Sequence, residues 1–178
     1  LKITIRGAEM DNFILKGRVI AVLGDNIDTD IIYPGRYLNI TDKKDTAEHV
    51  FELAYPELKK KMKPGDIIVA SKNFGCGSSR EQATAAIKFA GFGGIIASSF
   101  ARIFFRNSLN LGLPLISSPY AYKILKENDE LEIDLINGKI KNISSGIDIV
   151  SSPLDEKAAM YLREGGLIPY LRKKHGKG

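Results

Sequence analysis

Asn73-Phe74-Gly75-Cys76-Gly77-Ser78-Ser79-Arg80-Glu81-Gln82 decides how this 178-residue chain folds. The apolar run before it, Asp66-Ile67-Ile68-Val69-Ala70, reads as a buried strand, and residues 83–90 read as a helix closed by Gly91. The stretch therefore stands on a strand–loop–helix turn, where open α/β sheets hold ligands. Gly75 and Gly77 allow unusual backbone angles and close approach to a ligand. Ser78 or Ser79 is expected to cap the helix, and Ser78-x-x-Glu81 has capping-box spacing. Free N–H groups at a helix start, with Arg80 beside them, suit a carboxylate or phosphate. A capping box with an incidental arginine would explain the same residues without a ligand, and the pattern alone leaves both readings open.

Outward from this turn, the strand–helix alternation continues. Residues 93–99 read as a second buried strand, 100–111 as a helix ended by Gly112, and 113–116 as a third strand. This alternation predicts βαβ units on a mainly parallel sheet, hence an α/β fold. Upstream, residues 17–24 read as a strand, and Leu1, Ile3 and Ile5 alternate as an edge strand or extended arm would. Asp25, Asp28 and Asp30 could form a calcium loop, but the glycine and terminal glutamate of an EF-hand are missing, so an Asx-rich turn is the plainer reading. Residues 39–64 are polar and helix-prone, with short helices expected over 47–55 and 57–62. Downstream, a helical turn or two is expected over 120–126, and Asn137-Gly138 marks a hairpin between strands 131–136 and 139–143. Residues 147–150 give a further strand. A helix over 154–163, with Ser152 and Pro153 at its start, and a basic helix over 167–174 close the chain. With no repeat and no low-complexity linker, residues 1–178 read as one domain.

Composition bounds the function. The apolar fraction of 44% and charged fraction of 26% are those of a soluble globular protein. The net charge of +5 sits partly in Lys59, Lys60, Lys61 and Lys63 and partly in Arg172, Lys173, Lys174 and Lys177. No aromatics interleave with these runs as a nucleic-acid platform requires, so a solvated face is expected and no nucleic acid. The single Cys76 excludes an intrachain disulfide and favours a reducing compartment. No charged-then-apolar leader opens the sequence, and no run approaches the ~18 apolar residues of a membrane span. A soluble, cytoplasmic protein is expected, with no membrane partner.

Three segments carry a resemblance to a known family. Asn73-Phe74-Gly75-Cys76-Gly77-Ser78-Ser79-Arg80-Glu81 is similar to the signature of the aconitase superfamily's swivelling domain, a separate small subunit in isopropylmalate dehydratase and archaeal homoaconitase. Residues 26–38, with Asp28-Thr29-Asp30 and Pro34-Gly35-Arg36-Tyr37-Leu38, resemble the second hallmark of isopropylmalate dehydratase small subunits, with Asn26 at its first acidic place. Ser99-Phe100-Ala101-Arg102-Ile103-Phe104 resembles the third, whose apolar members are expected to pack and whose Arg102 would sit in the site's outer shell or pair with a carboxylate.

The resemblance implies a β/β/α swivelling domain with a mobile specificity loop over about 34–46 and a helical tail over about 154–178. It implies a hydro-lyase that moves a hydroxyl between adjacent carbons through an unsaturated intermediate, interconverting 2- and 3-isopropylmalate in leucine biosynthesis. Ser78 would be the base, used as an alkoxide that the helix start, neighbouring N–H groups and Arg80 stabilise. Arg80 would also grip a substrate carboxylate in bidentate fashion, Ser79 and Gly77 would assist, and Asp30 would orient the base or its arginine. Arg36, Tyr37, Leu38, Asn39 and Ile40 would face the variable part of the substrate. Relatives acting on tricarboxylates tend to carry arginine after Tyr-Leu, and those restricted to isopropylmalate an apolar residue; Asn39 fits neither, although Ile40 suits an apolar pocket and Arg36 could supply a charge. The resemblance further implies a large partner subunit bearing a [4Fe-4S] cluster, in a heterodimer or heterotetramer, with no metal held by this chain. The competing readings are a homoaconitase small subunit, a non-catalytic anion-binding module, and a nucleotide-binding domain that lacks both a P-loop lysine and a third glycine.

Overall fold

Short runs of β-branched residues bounded by glycine and proline can be buried on both faces only in a sheet covered on both sides. A computed structural model describes residues 13–176; the expected edge strand over Leu1, Ile3 and Ile5 lies outside them, as does Lys177. In chain order the elements are β1 (Ile14–Leu23), α1 (Thr29–Ile32), a single 3-10 turn (Gly35–Tyr37), α2 (Lys43–Glu48), α3 (Pro56–Lys61), β2 (Ile67–Ala70), α4 (Glu81–Ala90), β3 (Gly94–Ala97), α5 (Arg102–Leu111) and β4 (Leu115–Ser117). Then come α6 (Ala121–Ile124), β5 (Glu130–Asp134), β6 (Lys139–Asn142), β7 (Asp148–Val150), α7 (Glu156–Arg163) and α8 (Leu167–Lys174).

The seven strands form one sheet in the order β4-β3-β2-β1-β5-β6-β7. Strands β1 to β4 are parallel to one another, as the βαβ alternation predicts, and β5 to β7 extend the sheet from β1 as an antiparallel meander. Strand β2 shows why its sequence is apolar throughout: Ile68 and Ala70 join one core with Ala83, Ala86 and Ile87 of α4, while Ile67 and Val69 join the other with Ala121, Leu125 and Leu162. Among the described residues no helix is long and apolar enough to cross a membrane.

Several boundaries differ from the expectation, each for a local reason. Helix α2 begins at Lys43 because Asp42 accepts hydrogen bonds from the Lys44 and Asp45 amides, and it ends at Glu48 rather than running over 47–55. Helix α5 starts at Arg102, two residues late, because Phe74 and Phe100 form a β-bridge first. Helix α7 is capped by Asp155, which accepts from the Ala158 amide at 2.8 Å, so Ser152 and Pro153 stay outside it. The hairpin is correct in place but not in turn type. Asp134 accepts from the Ile136 and Asn137 amides and from the Asn137 side chain, which widens the connection to residues 135–138.

At the opposite end of the parallel strands from their C-termini, Gly65 is wedged between neighbours: a Cβ on Gly17 would stand 2.3 Å from its carbonyl oxygen, and one on Gly93 only 2.5 Å. A methyl at Gly24 would meet nothing within 4 Å. Gly17→Ala is therefore expected to destabilise the fold by about 1–3 kcal/mol, as overpacking does, and Gly24→Ala by no more than ~0.5 kcal/mol. Urea unfolding of the two variants checks this, and equal midpoints would contradict the packing described.

Candidate active site

The parallel strands β1, β2 and β3 end side by side at Leu23, Ala70 and Ala97, so the three family-like segments leave the sheet at one edge. Main-chain hydrogen bonds lace them together. The Gly75 amide donates to the Ile27 carbonyl at 2.7 Å and the Thr29 amide to Cys76 at 2.9 Å. The Phe74 amide donates to Ser99 at 3.1 Å, and the Ala101 amide returns to Phe74 at 2.9 Å. Asn26 and Asn73 both adopt left-handed backbone angles, and the Asn73 amide group donates to the Asn26 side-chain oxygen at 2.8 Å.

Beneath this lacing the apolar members pack. Phe74 is fully buried and meets Phe104 edge to face, with ring centroids 5.4 Å apart. The Phe104 ring lies so close to Gly75 (φ +78°) that an added Cβ would be 2.1 Å from it, so this position requires glycine for space as well as for angle. Arg102, by contrast, is exposed and makes no ion pair among the described residues.

Of the three aspartates, Asp28 caps α1 by accepting from the Ile31 amide, and Asp25 accepts from the Lys72 amide. Hydrogen bonds from Ser71 and Lys72 hold the Asp25 carboxyl below the usual carboxylate range. Asp30 is the one that pairs with the arginine of the central motif. Its Oδ1 makes an ion pair with Arg80 Nη1 and accepts from the Gly35 amide at 3.1 Å. Gly35 itself lies flat against that pair: a Cβ there would sit 3.2 Å from Asp30 Oδ1 and 3.3 Å from Arg80 Nη1.

The expected serine cap does not form. Arg80 occupies the N-cap position of α4 and gives no side-chain cap hydrogen bond, and Glu81 is the first helical residue, so no capping box closes. The physical reason is the tight turn in which the Arg80 amide donates to the Ser78 carbonyl at 2.8 Å, leaving both serines a step short of the helix. The consequence favours an anion, because the first-turn N–H groups of α4 are left without a side-chain acceptor. Ser78 and Ser79 are exposed, and neither hydroxyl is hydrogen-bonded among the described residues; the Ser78 carbonyl accepts from Thr29 Oγ1 at 3.2 Å. Gly77 (φ +88°) lets the chain turn out to present them.

The remaining expected residues form the 3-10 turn and the short segment after it. Leu38 packs against the core, Asn39 is exposed and Ile40 half-buried. Arg36 does not join Arg80: it lies 4.8 Å over the Tyr37 ring and pairs with Glu52 at 3.7 Å. His49 and Glu52, which lie outside the three family-like segments, hold Tyr37 in place; their only signal in the sequence is a His and a Glu three residues apart after a polar helix. Two clefts of about 500 and 560 Å³ are lined by other residues, the first between α2, α3 and α4, the second against the meander. Neither cleft is lined by Ser78, Ser79 or Arg80, and both serines stand exposed.

No group of His, Cys, Asp or Glu among the described residues is arranged to hold a metal ion. Cys76 is half-buried beside Asp28, and burial first, then that carboxylate, pushes its thiol up.

Comparison with known proteins agrees with the three segments. The aconitase C-terminal domain family matches residues 15–119. The chain is 50% identical over 161 residues to the isopropylmalate/citramalate isomerase small subunit of Methanocaldococcus jannaschii, covering 90% of this chain and 95% of that one. It is 48% identical over 160 residues to the 3-isopropylmalate dehydratase small subunit of Caldanaerobacter subterraneus subsp. tengcongensis, covering 90% and 99%. A crystal structure of 3-isopropylmalate dehydratase from Methanocaldococcus jannaschii superimposes with a TM-score of 0.84 at 43% identity, covering 91% of this chain and 95% of that one.

A raised thiol pKa means less thiolate at neutral pH, and the thiolate is the nucleophile. Cys76 in the folded chain is expected to react with iodoacetamide at pH 7.5 several-fold more slowly than in urea, the gap narrowing as pH rises. Mass spectrometry of quenched samples measures both rates. A faster native reaction would mean an electropositive surrounding instead.

Proposed function

Because the chain belongs to the aconitase C-terminal domain family, and within it to the isopropylmalate dehydratase small subunits, we propose that it supplies the base and a carboxylate-binding arginine for the interconversion of 2- and 3-isopropylmalate. The observation that carries this reading is the Arg80–Asp30 pair, which joins two of the family segments beside the free Ser78 hydroxyl.

The reaction removes a proton from a carbon next to a carboxylate and a hydroxyl from its neighbour, then returns water the other way round. Ser78 takes the proton. A serine alkoxide needs stabilising charge, and the uncapped start of α4 offers N–H donors for it. Asp30 and the Gly35 backbone fix the Arg80 guanidinium, so that it meets a substrate carboxylate already oriented; its side chain is 22% exposed, enough to reach a ligand while held. Ser79 and Gly77 line the same face. We assign Leu38, Asn39 and Ile40 to the substrate's alkyl end, within a specificity loop over about 34–46 that covers it, in a single swivelling domain.

A small subunit implies a large one. The superfamily's [4Fe-4S] cluster takes three cysteines from one polypeptide, whereas this chain has a single cysteine whose thiol is pushed toward its neutral form. The donor set does not fit the cluster, and we assign it to the large subunit, where it would act as the Lewis acid on the departing hydroxyl. The exposed Ser78 and Ser79, with Arg80 beside them, then face that subunit, in a cytoplasmic heterodimer or heterotetramer.

Co-purification from the native source followed by anaerobic assay tests this. An iron–sulfur partner and turnover of 3-isopropylmalate are expected. In the assembled complex Ser78→Ala should lower kcat by about 10²–10⁴, the range for losing a general base. Arg80→Lys should chiefly raise KM, since lysine cannot make the bidentate contact. Near-full activity of Ser78→Ala would move the base elsewhere, and an idle, partnerless chain would overturn the reading.

A further inference from the structure

The turn that precedes Asn39 and Ile40 is held by four side chains that the reaction itself does not use. The Tyr37 ring stacks on the His49 imidazole, with centroids 3.7 Å apart and planes 11° from parallel. Arg36 covers the same ring at 4.8 Å. Glu52 ties all three. Its Oε1 accepts from the Tyr37 hydroxyl at 3.2 Å and pairs with Arg36 at 3.7 Å, and its Oε2 meets His49 Nδ1 at 2.7 Å. The hydrogen bond from His49 first, then the one from the Tyr37 hydroxyl and the charge of Arg36, hold the Glu52 carboxyl below the usual range, so it is a charged anchor at neutral pH. The Tyr37 main-chain oxygen is fixed as well, accepting from the buried Tyr33 hydroxyl at 2.9 Å.

This clamp bears on the substrate because of where the turn starts. Gly35, the residue before Arg36, lies against the Arg80 guanidinium and donates to Asp30. Arg36 is thus one residue from the proposed carboxylate grip, and it is the cation of this turn. Were it loose, it could neutralise a further carboxylate on the substrate; as built, Glu52 already neutralises it and the Tyr37 face holds it. Asn39 and Ile40 carry no charge, and a desolvated carboxylate facing them would be unpaired.

We propose that Glu52 is a specificity-determining positioning residue: by holding Arg36 and Tyr37, it keeps positive charge away from the substrate's variable end and favours an alkyl group there over a third carboxylate. The inference rests on the function proposed above. The Arg36–Glu52 pair is half-exposed, with side-chain exposures of 56% and 37%, so the effect of releasing it is modest.

The test is made on the complex with the large subunit, using 3-isopropylmalate and homoisocitrate as probes. Glu52→Gln keeps the shape and removes the charge. It is expected to raise kcat/KM for homoisocitrate relative to 3-isopropylmalate by about three- to tenfold, mainly through KM, the range of one weak ion pair with a cation–π contact. The double variant Glu52→Gln/Arg36→Gln should lose that gain. A gain that persists without Arg36, or an equal loss on both substrates, overturns the proposal. Limited trypsin digestion of the full chain gives a readout independent of turnover: the Arg36–Tyr37 bond should be cut several-fold faster in Glu52→Gln. If the wild-type complex turns over neither probe, the proposed function fails. In that event an unchanged cleavage rate also removes the clamp, and a faster one sustains it.

Discussion

Three loops leave the same edge of a parallel sheet, and backbone hydrogen bonds between them do what no side chain could do alone. Strand pairing puts Leu23, Ala70 and Ala97 in neighbouring positions, and the bonds from Gly75 to Ile27, Thr29 to Cys76 and Phe74 to Ser99 carry that register a few residues beyond the strands. Loops are usually the soft part of a fold. Here their main chains continue the sheet, so Asp30 and Arg80, fifty positions apart in sequence, come together on a rigid base. The fully buried Phe74, closed in by Phe104 and Phe100, is the apolar counterpart of the same lacing.

The charges above that base are arranged for access. Asp30 is 57% exposed, and an ion pair that wet contributes on the order of 0.2–1 kcal/mol. Its worth lies in direction: the Gly35 amide holds the Asp30 carboxylate, and the carboxylate in turn directs the guanidinium. The uncapped start of α4 obeys the same logic, since a serine that capped the helix would occupy the donors an anion needs.

Much of this was legible in the sequence because glycines and short apolar runs have few conformational options. The strand over 67–70, the helix after it and the positive φ at Gly75 and Gly77 come from local rules, and the structure carries all of them. What local rules missed are choices made by partners distant in sequence. The cap spacing Ser78-x-x-Glu81 is present, yet the bonds from the 26–29 segment hold the loop in a turn that starts the helix later. Arg36 stood open as a substrate ligand in the sequence because nothing in residues 26–38 shows that Glu52 lies beside it. Asn137-Gly138 called for a two-residue turn, but Asp134 outcompeted it with three hydrogen bonds.

The sheet order has a further consequence. Strands β5, β6 and β7 lie on the far side of β1 from β2 and β3, so the β6–β7 turn is two to three strand spacings, roughly 10–15 Å, beyond β1, the strand that leads to α1 and Asp30. That turn contains Gly146, around which a side chain would meet nothing within 4 Å. The molecule thus has a remote rim where chain length can drift between relatives, or where a dye or affinity handle can be inserted, without reaching the laced loops.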